Sequence, residues 1–377
     1  MDLTVVGLLI AGLVLLVLGA EILVRGASKL AALLGVPPLI VGLTIVAYGT
    51  SSPEMAVSIQ SSFAGQADIA LGNVVGSNIF NVLFILGVSA LAVPLVVAQQ
   101  LVRLDVPIMV GVSALVLLFG LDGEIGRSDG VILFLGGIVY TLFLIYQSRQ
   151  EQDQAVQEEY AKYEATNGNE PLWRKWVVNL AFILVGLVLL VQGSQWLVES
   201  SIAIARSIGV SELVIGLTIV SAGTSLPELA TSFIASLKGE RDIAVGNVVG
   251  SNIFNVLAVL GLSAAVAPNG IAVSSAALGF DIPVMIVVAI ACLPIFFSGN
   301  LITRWEGLLF TMYYVAYVAY LIVATTDHDS LPWFSTALLG FALPLTAITL
   351  VIITLREVRS RRRQRLAPKP DLESKDL

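Results

Sequence analysis

The chain has 377 residues, of which 57% are hydrophobic and 12% charged, with a net charge of −7 and a mean hydropathy of +0.92. Soluble domains carry about 25% charged residues, so a soluble enzyme and a nucleic-acid binder are excluded in favour of a polytopic membrane protein. At ~20 apolar residues per crossing the length holds roughly ten to eleven spans, and apolar runs of that kind are α-helical rather than barrel strands.

Taken in order, the apolar runs predict spans over 4–26, 37–63, 69–97, 104–121, 130–147, 176–198, 211–237, 243–267, 281–298, 305–325 and 333–355. The first run is too long and unbroken for a leader peptide and reads as a span. The lone Cys292 sits inside an apolar run and has no internal disulfide partner. The polar stretch 148–175, with Glu151, Asp153, Glu158, Glu159, Glu164 and Glu170, divides the chain near its middle.

The two sides of that stretch repeat each other. Residues 42–87 align without a gap on 216–261, with 31 of 46 positions identical, and GNVVGSNIFNVL occurs at both 72–83 and 246–257. Weaker echoes extend the unit to five spans: Gly19-Ala20-Glu21 with Gly193-Ser194-Gln195, and Leu104-Asp105-Val106-Pro107 with Phe280-Asp281-Ile282-Pro283. An odd number of spans per copy turns the second copy upside down. With the N-terminus outside, 18 of the 20 basic residues fall in cytoplasmic segments, only Arg127 and Arg206 falling outside, as the positive-inside rule asks. The expected organisation is a first five-helix repeat (1–147), a cytoplasmic linker (148–175), an inverted second repeat (176–325), an extra transmembrane helix (326–355) and a basic cytoplasmic tail (356–377). Inverted repeats mark secondary transporters with a midplane site.

Spans two and seven carry Gly49-Thr50-Ser51-Ser52-Pro53-Glu54 and Gly223-Thr224-Ser225-Leu226-Pro227-Glu228. A mid-span proline removes a donor and clashes with the carbonyl four residues back, so the Gly49 and Gly223 carbonyls are expected to be freed where lipid offers no partner. A mid-span carboxylate costs ~2.5–3.5 kcal/mol even on the gentlest scale, and here two stand beside matched breaks. Thr50 and Ser51 precede Glu54 by four and three residues, placing them on its helix face, as do Thr224 and Ser225 for Glu228. Spans three and eight add polar stripes, Asn73/Ser77/Asn81 and Asn247/Ser251/Asn255. Gly72/Gly76 and Gly246/Gly250 supply faces for close helix approach. An all-oxygen set with two carboxylates suits Ca²⁺ or Na⁺ and disfavours Zn²⁺ or copper.

These motifs, GTS-x-PE and GN-xx-GSN-xx-N in both halves, resemble those of the cation/calcium exchanger superfamily, specifically the prokaryotic sodium/calcium exchangers. The resemblance covers spans one to ten. It implies Glu54 and Glu228 as central ligands, with the hydroxyls of Thr50, Ser51, Thr224 and Ser225, the carbonyls of Ala47 and Ser221, the serines Ser77 and Ser251, and Asn81. It also implies that spans one and six slide across the rest. Many members carry Asp where this chain has Asn255, which leaves two formal charges in the site. The central loop is too short for the regulatory calcium-binding domains of animal members.

The expectation is therefore a Na⁺/Ca²⁺ antiporter of the cell (inner) membrane, not an enzyme, with Ca²⁺ and Na⁺ as transported ions, the lipid bilayer as surroundings, and neither a cofactor nor an obligate protein partner. A Ca²⁺/H⁺ antiporter is the alternative, with glutamate protonation replacing Na⁺. A cation channel and an intramembrane hydrolase fit less well: fused repeats argue against the first, and no membrane His or Lys base serves the second. Outside the site, Asp105 and Asp281 read as helix caps, Glu21 as a snorkelling residue, the tail as a topology anchor, and Asn73, Asn78, Asn247 and Asn252 as open between helix packing and the site.

Overall fold

The computed structural model describes residues 3–65, 67–148, 171–208, 219, 221–297 and 299–325. The expected eleventh span, the basic tail, most of the linker, most of residues 211–220 and His328 lie outside the described residues. The described chain is almost wholly helical. It runs α1 (Leu3–Leu34), α2 (Pro38–Thr50), α3 (Ser52–Phe63), α4 (67–92), β1 (Leu95–Val96), α5 (Leu101–Phe119), β2 (Glu124–Ile125) and α6 (Arg127–Ser148). The second half gives α7 (Leu172–Ser207), α8 (Leu226–Leu237), α9 (Arg241–Val266), β3 (Ile271–Ala272), α10 (Ala277–Phe297), β4 (Leu301–Ile302) and α11 (Arg304–Thr325).

Eight of the described helices are long and apolar enough to cross a membrane. Span two is missing from that set because its helix breaks at the proline motif; of span seven, whose residues before 221 lie almost wholly outside the described ones, the described part breaks at the matching motif. Ser51 (φ −82°, ψ 9°) and Ser225 (φ −90°, ψ 10°) turn the backbone out of the α conformation. Pro53 and Pro227 then fall in the first turn of α3 and α8, where a missing N–H costs nothing.

The apolar core is split. One cluster joins α4, α5, α6, α9, α10 and parts of α2 and α11. A second is built on α1 and α7, with Val41, Val46, Ala235, Ile243 and Ala244 beneath them. Helices α1 and α7 pack through glycine: a methyl carbon on Gly12 would lie 2.8 Å from the Gly193 carbonyl oxygen, and one on Gly19 2.9 Å from that of Gly186. Because one number rises as the other falls, the two helices run antiparallel. Gly246 and Gly250 of α9 likewise press on the Leu39 and Leu43 backbone of α2, the close approach their spacing predicts.

Two short ribbons tie the halves together: β1 pairs with β4 (Leu95↔Ile302) and β2 with β3 (Glu124↔Ala272). Asp105 and Asp281 do not act as caps. Asp105 has helical torsions inside a continuous helix and makes no capping bond, because it is the last residue of a π turn (Leu101–Asp105) and so stands at no free helix start. Its carboxylate instead accepts the Tyr140 hydroxyl at 2.9 Å, and Asp281 accepts that of Tyr317 at 3.1 Å. Glu21 does not merely snorkel; its carboxylate is 2.9 Å from Lys238 Nζ.

Candidate cation-binding site

The two breaks bring the halves together at the carboxylates. Glu54 and Glu228 are both fully buried, each in the first turn of the helix that follows its break. The serine of each motif does not serve its own glutamate. Ser51 donates to Glu228 Oε1 at 2.8 Å, and Ser225 donates to Glu54 Oε1 at 2.9 Å. A shared helix face is ruled out locally because the helix stops at Ser51 and Ser225, so each hydroxyl projects across the interface.

The second carboxylate oxygens, Glu54 Oε2 and Glu228 Oε2, are buried and have no hydrogen-bond partner. Among the described residues no Lys or Arg is paired with either. An uncompensated buried charge costs several kcal/mol, so this pair calls for positive charge from outside the chain.

Two amides brace the breaks. Asn73 donates to the Glu54 carbonyl (3.2 Å) and to Ser58 Oγ (2.9 Å), and its own Oδ1 accepts Thr224 Oγ1 at 3.2 Å. Asn247 repeats this with the Glu228 carbonyl (3.4 Å), Ser232 Oγ (2.9 Å) and Thr50 Oγ1 (3.1 Å). Each asparagine thus ties its own half's glutamate helix to the other half's motif threonine. Ser58 and Ser232 were not singled out from the sequence. Both lie four residues after the glutamate and recur at the repeat offset, and that spacing was the available signal.

The remaining expected residues are placed as follows. Ser77 is buried and shares the Ser225 hydroxyl at 3.0 Å; Ser251 is buried and its Oγ has no partner. Asn81 and Asn255 are fully buried, each with an unpartnered Oδ1. Ala47 is buried, and its carbonyl takes the Ser51 N–H at 3.0 Å as well as a weak contact from Thr50 Oγ1. Ser221 lies in a short helical turn, Ser221–Gly223.

The Gly49 and Gly223 carbonyls are not left open as the prolines alone would have it. Gly49 accepts Ser52 Oγ and Gly223 accepts Ser194 Oγ, both at 2.7 Å. Lipid-depth backbone is satisfied by the nearest hydroxyl. Among the described residues of the expected site, five buried side-chain oxygens have no partner: two carboxylate, two amide and one hydroxyl.

The chain is similar to known proteins in sequence and in fold. A family model described as sodium/calcium exchanger protein matches residues 4–146 and 178–323. The chain is 39% identical to Inner membrane protein YrbG of Escherichia coli (strain K12), over 75% of this chain and 86% of that one. It is 35% identical to Sodium/calcium exchanger MaX1 of Methanosarcina acetivorans, over 83% and 97%. A solved structure of the sodium-calcium exchanger NCX_Mj, soaked with Na⁺ and Sr²⁺, superposes with a TM-score of 0.71 at 28% identity, over 85% and 99%.

Proposed function

The chain belongs to the sodium/calcium exchanger family, a family of multi-pass membrane antiporters, and on that premise we propose that it exchanges Ca²⁺ for Na⁺ by alternating access. One divalent ion, or Na⁺ ions, sits between Glu54 and Glu228 near the bilayer midplane. The observation that carries this reading is the crossed serine–carboxylate pairing with both Oε2 atoms left without donors. Ser51 and Ser225 hold each carboxylate by one oxygen and leave the other to the ion. Thr50, Thr224, Ser77, Ser251, Asn81, Asn255 and the carbonyls of Ala47 and Ser221 complete the oxygen shell, for which Ca²⁺ takes six to eight ligands.

Two inverted repeats, N-terminus outside, fit the antiparallel α1–α7 pair and the exchange of strands between halves. The α1–α7 pair, having its own apolar cluster, is the body that slides. An empty site carries two buried charges, which resist that slide; a loaded site does not, and this couples the fluxes. Protons would balance the same two charges, so a Ca²⁺/H⁺ antiporter is the second reading.

Isotope flux in proteoliposomes separates the two. We expect ⁴⁵Ca²⁺ uptake driven by an outward Na⁺ gradient, and none driven by a pH gradient without Na⁺; the reverse would replace the sodium reading. Glu54→Gln is expected to abolish Ca²⁺ binding by calorimetry, and retained binding would refute the site.

A further inference from the structure

Spans three and eight meet at four asparagines whose bonds fix one another. Asn78 Nδ2 donates to the Asn252 backbone carbonyl at 3.1 Å, and Asn252 Nδ2 donates to the Asn78 carbonyl at 3.2 Å. A backbone carbonyl only accepts, so each of these amides must present its NH₂ to the opposite chain. That turns Asn78 Oδ1 toward Asn255 and Asn252 Oδ1 toward Asn81. An oxygen there needs a donor, so Asn255 presents Nδ2 to Asn78 at 3.2 Å and Asn81 presents Nδ2 to Asn252 at 3.0 Å. Two main-chain carbonyls thereby set the orientation of four side chains.

The consequence falls on the far ends. Asn81 Oδ1 and Asn255 Oδ1 are left buried and without a donor, a condition that costs about 1–3 kcal/mol per group when nothing fills it. Asn81 stands four residues after Ser77, whose hydroxyl shares Ser225 with Glu54; Asn255 stands four after Ser251. Both open a π turn, Asn81–Leu86 and Asn255–Leu260, a feature concentrated at functional sites.

We propose that Asn78 and Asn252 are positioning residues, each orienting the amide oxygen of the opposite half, Asn255 and Asn81 respectively, toward the transported cation. This rests on the cation site proposed above but goes beyond it, because neither residue touches the ion. The dependence is crossed: Asn78 acts through Asn255 and not through Asn81, its neighbour on the same helix, and Asn252 acts through Asn81.

A double-mutant cycle on the full-length chain in proteoliposomes tests this, with KM and maximal rate for ⁴⁵Ca²⁺ as readouts. Asn78→Ala is expected to raise KM roughly 3- to 10-fold, the size of one buried neutral hydrogen bond, with little change in maximal rate. Asn78→Ala with Asn255→Ala should be no worse than Asn255→Ala alone. Asn78→Ala with Asn81→Ala should multiply, and Asn252 should show the mirror pattern. Asn78→Ser and Asn252→Ser, which keep a polar group but remove the amide oxygen that holds the opposite asparagine, give the same cycle should the alanine variants not survive purification. Multiplying effects in both pairs, or a fall in maximal rate at constant KM, would overturn the positioning role. Glu54→Gln runs alongside: if it keeps saturable uptake, the cation site itself fails, whereas lost uptake with no crossed pattern removes the positioning role alone.

Discussion

Ser225 and Ser51 occupy matching positions but do unequal work. Ser225 holds Glu54 Oε1 and also meets Ser77, while Ser51 holds only Glu228 Oε1 and Ser251 is left without a partner. Hydrogen bonds to a charged group contribute about 1.5–3 kcal/mol. Loss of the Ser225 hydroxyl strands two groups, loss of Ser51 one. We therefore expect Ser225→Ala to raise the KM for Ca²⁺ more than Ser51→Ala, with ⁴⁵Ca²⁺ flux over a concentration series as the check. Equal effects would mean that the Ser225–Ser77 contact contributes nothing to ion binding.

Helix pairs are held in two different ways. The α1–α7 seam is backbone on backbone at Gly12–Gly193 and Gly19–Gly186, so added side chains cannot relax away. Gly193→Ala should destabilise by ~1–3 kcal/mol, the usual cost of overpacking. Gly7→Ala, at an exposed position with nothing within 4 Å, should be neutral or slightly stabilising, helix interiors favouring Ala over Gly by ~1 kcal/mol. Thermal unfolding in detergent reads both. Helices α5 and α6 are instead bolted by Tyr140 to Asp105, and α10 and α11 by Tyr317 to Asp281. Asp105 is fully buried and Asp281 is not. Tyr140→Phe should therefore lower the unfolding midpoint more than Tyr317→Phe, since a hydrogen bond lost at a fully buried carboxylate is not replaced by one to water.

Among the described residues, these polar contacts between halves at the breaks and the asparagines come in reciprocal pairs: Ser51–Glu228 with Ser225–Glu54, Thr50–Asn247 with Thr224–Asn73, Asn78–Asn252 with Asn252–Asn78. The strand pairs and the glycine contacts Gly87–Gly307 and Gly130–Gly261 also cross between halves. Each half leaves its carboxylate, hydroxyl and glycine faces unfilled without the other. Two predictions follow at this scale. Proteolytic cutting between residues 149 and 170 should leave Na⁺-driven ⁴⁵Ca²⁺ flux intact, because the halves are joined by packing. Residues 1–148 expressed alone should give no monodisperse species by size-exclusion chromatography, and a stable monodisperse half would contradict the interlocked assembly.

The amino-acid order alone determined what is local or compositional. Membrane residence follows from the scarcity of charge, the repeat from the 174-residue offset, and the two breaks from Pro53 and Pro227. The proposal of Glu54 and Glu228 as ion ligands rests on the cost of a mid-span charge. It misread Asp105 and Asp281, because a proline after an acid looks like a helix start whether or not a π turn precedes it. It left the Gly49 and Gly223 carbonyls open: Ser52 lies only three residues from Gly49, a short-range partner that the proline rule overlooks, whereas Ser194 lies 29 residues from Gly223 and nothing short-range says that it arrives there. Only the tertiary structure decided that each serine serves the opposite glutamate and that two backbone carbonyls orient four asparagines. Those facts depend on which helix faces which, and that is set by glycine seams that bring the backbones of the two halves into contact.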